Sequence, residues 1–484
     1  MKVLAFTDAP TFPTGVGHQL HNIIKYGFDA TDRWVVVHPP RSPRAGETKN
    51  VVIGNTPVKL INSPRGYADD PAFVMKVVED EKPDVLVIFT DPWAYHPFMQ
   101  QLSYWIIERN LPLVYYHVWD NFPAPLYNIP FWHTCNEVIG ISMKSTINVQ
   151  LAKEYVEAYE ITMYRDPEVF YLPHAVEPNV FKRMDRKKAR EFVRGLVGDR
   201  MFDDSVIWLY NNRNISRKNL MDTIYAFLVY MLKNYRKHHL LIIKSDPVVP
   251  VGTDIPAFLA DINSFFHYRD IDLREHIVFI SNDEVFHNGG FSREEIALLY
   301  NGADVVLQLS SNEGFGIASL EASLCGTPVV ATMTGGIADQ YSLYEMDYEV
   351  ADGSDEDIIC KIYEEVHRQV LNQYLDMLRQ NGKDPDNAPR KNHMMRMVKP
   401  YRHFQGSPAT PYILDDRVPI RDVFPKFDEA LALRNREDYE KLYEESVEYI
   451  TMHFDVEVLG KEFKKSLSRA IKNNQKTTRQ VVVL

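Results

Sequence analysis

The chain has 484 residues, 45% of them hydrophobic and 25% charged, a composition that excludes a mainly disordered protein. Lys and Arg number 54 against 66 Asp and Glu, giving a formal net charge of −12, so a surface that binds nucleic acid over its whole extent is disfavoured. The three cysteines, Cys135, Cys325 and Cys360, show no CxxC spacing and indicate neither a disulfide framework nor structural zinc.

MKVLAFTDAP places Asp8 directly after a very short apolar run, which reads as a first strand and not as a signal peptide. No apolar run approaches the roughly 20 residues needed to span a bilayer. A soluble, cytoplasmic chain without an integral membrane segment is the expectation. Six short apolar runs then end in polar residues: Val3–Phe6, Trp34–Val37, Val85–Phe89, Leu113–Tyr116, Val138–Ile141 and Phe170–Leu172. The stretches between them leave room for helices, which predicts a parallel sheet covered on both faces. The same pattern resumes at Val206–Tyr210, His239–Ile243, Ile277–Ile280, Val305–Leu309 and Pro328–Ala331. The expected fold is therefore α/β, with two facing Rossmann-like, doubly wound domains over residues 1–185 and 200–345. Residues 346–484 are expected to form a helical extension, with an unassigned polar excursion at 380–422. Open sheets of this kind bind ligands at the carboxyl ends of their strands.

Three segments at those ends carry chemistry. Ser310–Gln340 reads strand, glycine turn, short helix, strand, double-glycine turn. Gly314 and Gly316 let backbone approach a ligand, and the helix opening near Ile317 offers free N–H groups suited to a phosphate. Glu313 on the turn and Glu321 in the helix are eight positions apart, so they serve different parts of a ligand, Glu321 being placed to take ribose hydrogen bonds. In NNRNISRKNL, Arg213 and Lys218 lie five apart with Arg217 between them, a planar fork and a compact charge suited to a diphosphate. In PTFPTGVGH, Gly15 and Gly17 open a helix after the first strand, but the third glycine of a dinucleotide fingerprint is missing, because Leu20 stands there.

Together these segments resemble the retaining, nucleotide-sugar-dependent glycosyltransferases of family four (glycosyl transferases group 1), with the GT-B architecture. The E-x7-E element of that family is similar to Glu313–Glu321, and its Arg…Lys clamp to Arg213 and Lys218. The following Gly326, Pro328, Val329, Val330 and Gly335–Gly336 also match, as does HFDVEVLGKEFKKSL near the end. The segment PHAVEPNVF resembles the family's element before the linker, with His174 and Ala175 where Asn-Gly is usual. Asn212 replaces the usual Gly before the clamp Arg, and Asp339 stands near a usual Glu. The resemblance implies transfer of a hexosyl or pentosyl group with retained configuration. Arg213, Lys218 and the N–H groups near Gly316 would hold the departing diphosphate without a metal. Glu313 and His117 would be catalytic, and Gly15, Gly17, Gly314, Phe315, Gly316, Ile317 and Glu321 would bind the donor. No cofactor is expected beyond the nucleoside-diphosphate sugar as co-substrate. The DxD-like triplets Asp270–Asp272 and Asp384–Asp386 follow no convincing strand and are read as solvated. Glu313→Gln and Lys218→Ala are each expected to abolish transfer while leaving the fold intact.

For the acceptor, Asp8, Asp91 and Asp120 are candidates on the first domain. Arg390–His403 holds five basic residues and no acid (Arg390, Lys391, Arg396, Lys399, Arg402), and Lys461–Arg479 holds seven basic residues and one acid. A solvated loop and an amphipathic helix explain both stretches. A local polyanion contact, with a modified base in DNA as acceptor, is the sharper expectation. Lipid or polysaccharide acceptors, and a nucleotide-sugar epimerase on the same fold, are the alternatives.

Overall fold

The computed structural model describes residues 1–477 apart from 42–43, 67–69, 120, 161–163, 246–251, 268–271, 281–289, 346–355 and 407–409. The first sheet has the order β3-β4-β2-β1-β5-β6-β7-β8. Its strands are β1 (Lys2–Thr7), β2 (Arg33–His38), β3 (Thr48–Ile53), β4 (Thr56–Asn62), β5 (Val85–Phe89), β6 (Leu113–His117), β7 (Glu137–Gly140) and β8 (Glu168–Tyr171). All pairs are parallel except β3–β4. The second sheet, in the order β11-β10-β9-β12-β13-β14, is parallel throughout. It comprises β9 (Val206–Asn211), β10 (His239–Lys244), β11 (Ile277–Ile280), β12 (Val305–Gln308), β13 (Val329–Thr332) and β14 (Met395–Val398). Strands β15 (Tyr401–Gln405) and β16 (Ile413–Arg417) pair as an antiparallel hairpin.

Alternation along the strands explains the double winding. In β1, Val3 and Ala5 enter one apolar cluster while Leu4 and Phe6 enter another, so both faces are covered. In β9, Ile207 and Leu209 join the cluster of Val3 and Ala5, whereas Trp208 and Tyr210 point into a third. One apolar core thus runs from the first sheet to the second.

Every strand expected from the apolar runs is present. The hairpins β3–β4 and β15–β16 and the edge strand β14 are additions. β3 is almost entirely exposed at a sheet edge, so it lacks the apolar signature of a core strand. β14 arises from within the polar stretch 380–422, where Met395 and Val398 are buried and pair alongside β13.

The final helix, Val456–Thr477, returns to the first sheet. Leu459, Phe463, Leu467 and Ala470 recur on one face and are all but fully buried in the shared core. Each Leu or Phe so buried contributes about 1.5–3 kcal/mol. The helix crosses the first helix, Gly15–Gly27, with backbones in contact: a Cβ on Gly27 would lie 2.2 Å from the Gly460 carbonyl oxygen. Its Ser466 donates to Glu137 Oε2 at 2.5 Å, and Arg469 donates to the same carboxylate at 2.9 Å. Burial pushes the Glu137 carboxyl up to about 7 despite these partners.

The two sheets also meet through Asp339 in the helix Gly335–Tyr341. This carboxylate accepts from the Met143 N–H at 2.8 Å, at the start of the helix Met143–Ala158, and from Tyr171 Oη at 3.1 Å. Burial raises the Asp339 carboxyl to about 7, and those two bonds only partly offset it. A carboxyl raised on folding leaves stability intact below its ordinary range near pH 4. Stability is then lost as pH climbs from about 4 to 7, where the buried group must ionise. Asp339→Asn should therefore be more stable relative to wild type at pH 8 than at pH 4. Thermal melts across that range test this, and parallel profiles for the two proteins would contradict it.

Candidate active site

The carboxyl ends of β9, β12 and β13 lie side by side, and their turns interlock. After β9, Ser216–Lys218 forms one 3₁₀ turn, and Asn219 adopts left-handed backbone (φ 48°) before the helix Leu220–Lys233. After β12, Ser310–Gly316 leads into the helix Ile317–Leu324, whose N-cap Gly316 (φ 78°) supplies no side chain. After β13, Gly335 (φ 48°) approaches so closely that a Cβ there would sit 1.7 Å from the Glu313 carbonyl oxygen, while Gly336 N–H donates to that oxygen at 3.2 Å. Glycine is required at 335 for both its backbone angle and its contact.

Glu313 is the hub. It is 2% exposed and accepts from Lys218 Nζ, from Gln308 Nε2 at 2.8 Å and from Ser310 Oγ at 2.7 Å, with Arg217 3.4 Å away. Burial opposes ionisation, but Lys218 and Arg217 outweigh it and hold the carboxyl below its ordinary value. Arg217 also donates to the Asn312 carbonyl at 2.7 Å, which ties the β9 turn to the β12 turn. Lys218 is buried in this pair, whereas Arg213 is exposed at the same edge. The proposed clamp thus holds one cation already committed to Glu313 and one standing in the open.

Glu321 lies deeper. Asn211 Nδ2 donates to Tyr300 Oη at 2.8 Å, and Tyr300 donates to Glu321 at 3.1 Å. Burial raises the Glu321 carboxyl to about 7, with Arg293 and Lys244 pulling the other way. Neither cation belongs to a motif. Lys244 had only its place at the end of β10 as a signal, and Arg293 had none. Arg293 also faces a cleft of about 250 Å³ with Pro10–Pro13, His18 and His21. Burial, reinforced by Arg293, lowers His18 to about 4. The Pro10–His18 loop therefore does face the second unit, with Thr14 accepting from Gly17 N–H at 3.0 Å and Gly15 open at the helix start. Phe315 is buried on the turn, 5.2 Å from the His174 ring of the first unit, and Ile317 packs at the edge of the shared core.

His117 stands elsewhere. His117 is fully buried between Tyr115 (5.2 Å) and Trp132 (5.4 Å), and burial lowers it to about 3, so its ring presents no surface to the cleft. The side chain follows the strand alternation of Tyr115 into the apolar cluster behind the sheet. Asp8 accepts from Thr14 Oγ1 at 2.6 Å, and the Asp91 carbonyl accepts from Ala94 N–H at 3.1 Å. Asp120 lies outside the described residues. Asp272 pairs with Arg274 and Asp386 with Arg379, away from the site.

The five basic residues at 390–402 do not form one free patch. Arg402 is buried against Asp416 at 2.8 Å, and Arg396 donates to the carbonyls of His393 and Met395 at 2.8 and 2.9 Å. Lys391 stands 3.9 Å from Glu345, and the Arg390 guanidinium lies 5.1 Å from the Tyr344 ring. Lys399 is exposed. The second basic stretch lines a groove of about 870 Å³ with Lys25, Tyr26 and Gly27, and there Lys464 pairs with Asp32 at 2.7 Å and Lys465 with Glu462 at 2.5 Å. Among the described residues, no helix is long and apolar enough to cross a membrane.

Residues 279–384 match the family described as Glycosyl transferases group 1. A D-inositol 3-phosphate glycosyltransferase of Arthrobacter sp. (strain FB24) is 42% identical over 71 residues, 14% of this chain and 17% of that one. Another of the same name from Corynebacterium jeikeium (strain K411) is 57% identical over 44 residues, 9% of this chain and 10% of that one. The matches thus span about a tenth to a sixth of these relatives' length. Among solved structures, Anabaena Alr3699/HepE in complex with UDP and glucose aligns over 97% of this chain and all of its own, at 14% identity and a TM-score of 0.57. A UDP-forming trehalose-phosphate synthase from Burkholderia xenovorans aligns over 98% of this chain and 99% of its own, at 11% identity and a TM-score of 0.61. The fold is the GT-B architecture of two facing Rossmann-like units, and the chain resembles the group 1 glycosyltransferases.

Proposed function

We propose that this chain is a glycosyltransferase that moves a sugar from a nucleoside diphosphate to an acceptor hydroxyl in the cleft between its two units. The observation that carries this reading is the Glu313 cluster. One buried carboxylate, its Lys218 partner, the exposed Arg213 and the uncapped start of the helix Ile317–Leu324 converge where three strand ends meet. In the reaction the bond from the sugar C1 to the diphosphate breaks and a bond from C1 to the acceptor oxygen forms. The acceptor proton leaves with the diphosphate oxygen. Negative charge grows on the departing group, and fixed cations and helix N–H groups stabilise it without reorganising. Arg213 and Lys218 take that role here, Glu313 holds the donor sugar, and Glu321 holds the ribose. Attack from the face of departure retains configuration and needs no covalent nucleophile. Closure of the units excludes water from the donor.

A hydroxyl on a phosphorylated small molecule is the acceptor class we favour. Relatives carry names with inositol 3-phosphate, and Arg293, which also pairs with Glu177, lines the cleft beside His18 with Lys244 nearby. A modified DNA base is disfavoured, because Arg396 and Arg402 are spent within the fold. The test is a panel of UDP-, GDP- and ADP-sugars against inositol 3-phosphate, sugar phosphates, lipid and hydroxymethylated DNA, read by mass spectrometry. A glycosylated phosphate ester with unchanged anomeric configuration is expected. Product on DNA or lipid alone would overturn the acceptor class, and a free epimerised sugar without acceptor product would overturn the transferase reading.

A further inference from the structure

The hairpin β15–β16 arises from a stretch that no motif explains, yet it lies where both units meet. On the first unit, Leu414 N–H donates to the Phe122 carbonyl at 2.7 Å, and Asn121 Nδ2 donates back to the Leu414 carbonyl at 3.1 Å. Tyr127 Oη adds a bond to the Tyr412 carbonyl at 3.0 Å. The hairpin is therefore docked by backbone on the loop that follows β6.

Two carboxylates follow Leu414, and strand alternation sends them to opposite sides. Asp416 accepts from Arg402 at 2.8 Å and lies 3.3 Å from Lys144 of the first unit, all three side chains being under a tenth exposed. Asp415 faces the second unit. It accepts from Asn312 Nδ2 at 2.8 Å and from Arg417 Nε at 2.6 Å. Arg417 reaches on to Asn219 Oδ1 at 2.6 Å, and Asn219 donates to the Leu309 carbonyl at 3.1 Å. Asn312 and Asn219 are the immediate neighbours of Glu313 and Lys218. The Asn312 Oδ1 atom is buried without a partner among the described residues, so Asp415 sets the orientation of that amide.

We propose that the paired strands Tyr401–Gln405 and Ile413–Arg417 are a positioning clasp. Asp415 and Arg417 set the Glu313 turn against the Lys218 turn, and Asp416 joins that setting to the first unit through Lys144. Asp415 is a positioning residue that acts through Asn312, not a group that touches the donor. The inference rests on the reading of Glu313 and Lys218 as donor-site residues. A charge-assisted contact that fixes the angle of a neighbouring side chain affects the chemical step more than ground-state binding.

The test compares wild type, Asp415→Ala, Asn312→Ala and the double variant, using UDP-glucose as the probe and UDP release as the readout. Asp415→Ala should lower the rate at saturating UDP-glucose at least tenfold while KM changes less than threefold, and the double variant should be no slower than the slower single one. An unchanged rate, or losses that multiply in the double variant, would overturn the clasp. Amide hydrogen exchange gives a second readout that needs no activity. Asp415→Ala should speed exchange at 309–316 and 217–220 and leave β1 and β5 unchanged. Equal exchange in the two turns would also overturn the clasp. A wild type that releases no UDP from any nucleotide sugar counts against the transferase reading alone, because the exchange experiment still decides on the clasp.

Discussion

Glu313→Gln should lower turnover by about two to three orders of magnitude with the fold retained, whereas Lys218→Ala should lose turnover and stability together. The sequence treats these residues as equivalent losses of chemistry, but the geometry separates them. Glu313 is 2% exposed and holds its charge because Lys218 sits against it. Removing Lys218 leaves a carboxylate in the interior with Arg217 at 3.4 Å, Gln308 and Ser310. Breaking a buried pair from one side typically costs about 3–5 kcal/mol. The neutral amide introduced by Glu313→Gln would leave no stranded charge of that depth, since Lys218 lies nearer the rim at 8% exposure. Denaturant midpoints measured beside turnover settle the matter. Equal midpoints for the two variants would refute the asymmetry, and normal turnover in both would remove Glu313 and Lys218 from the reaction.

The second large effect is expected at Gly335. An alanine there would need φ near 48° and would drive its Cβ to 1.7 Å from the Glu313 carbonyl oxygen. The Cβ is fixed by its own backbone and its partner is a backbone oxygen, so no rotamer relieves the collision, and the turn that carries Glu313 must move. Gly335→Ala should destabilise by more than about 4 kcal/mol or fail to accumulate as folded protein. Gly15→Ala is the control, because a Cβ at Gly15 meets nothing within 4 Å. Urea titrations of both variants check the contrast. A Gly335→Ala midpoint matching that of Gly15→Ala would show that the two turns are not locked together.

Much of the architecture was legible because buried parallel strands are written as uninterrupted apolar runs. Val3–Phe6 and Val85–Phe89 show this, each covered on both faces. β3 was not legible, because TKNVVI is an exposed edge strand whose partner supplies the order. Glu313, Lys218 and the glycine turns could be placed from spacing, since a turn that needs glycine writes glycine. His117 shows the limit of that reasoning: the end of a strand predicts nearness to the cleft, but side-chain parity decides the face, and parity sends His117 behind the sheet with Tyr115. The hairpin was illegible for a different reason. Asp415, Asp416 and Arg417 look like any polar turn until the fold brings Asn312, Asn219 and Lys144 within reach from about 100 to 270 residues away.

The return of the helix Val456–Thr477 has a consequence for the order of events during synthesis. Leu459, Phe463, Leu467 and Ala470 complete the same core as Val3 and Ala5, and Gly460 seats against Gly27. The opening third of the chain therefore leaves the ribosome with one flank of its sheet uncovered. It must wait for about 300 further residues before that flank is sealed. Contacts of such separation slow the final step of folding and leave the nascent sheet dependent on chaperones or on its own solubility until then. A cut anywhere between the two sheets, however well placed in a linker, yields an amino-terminal fragment that lacks its own closing wall.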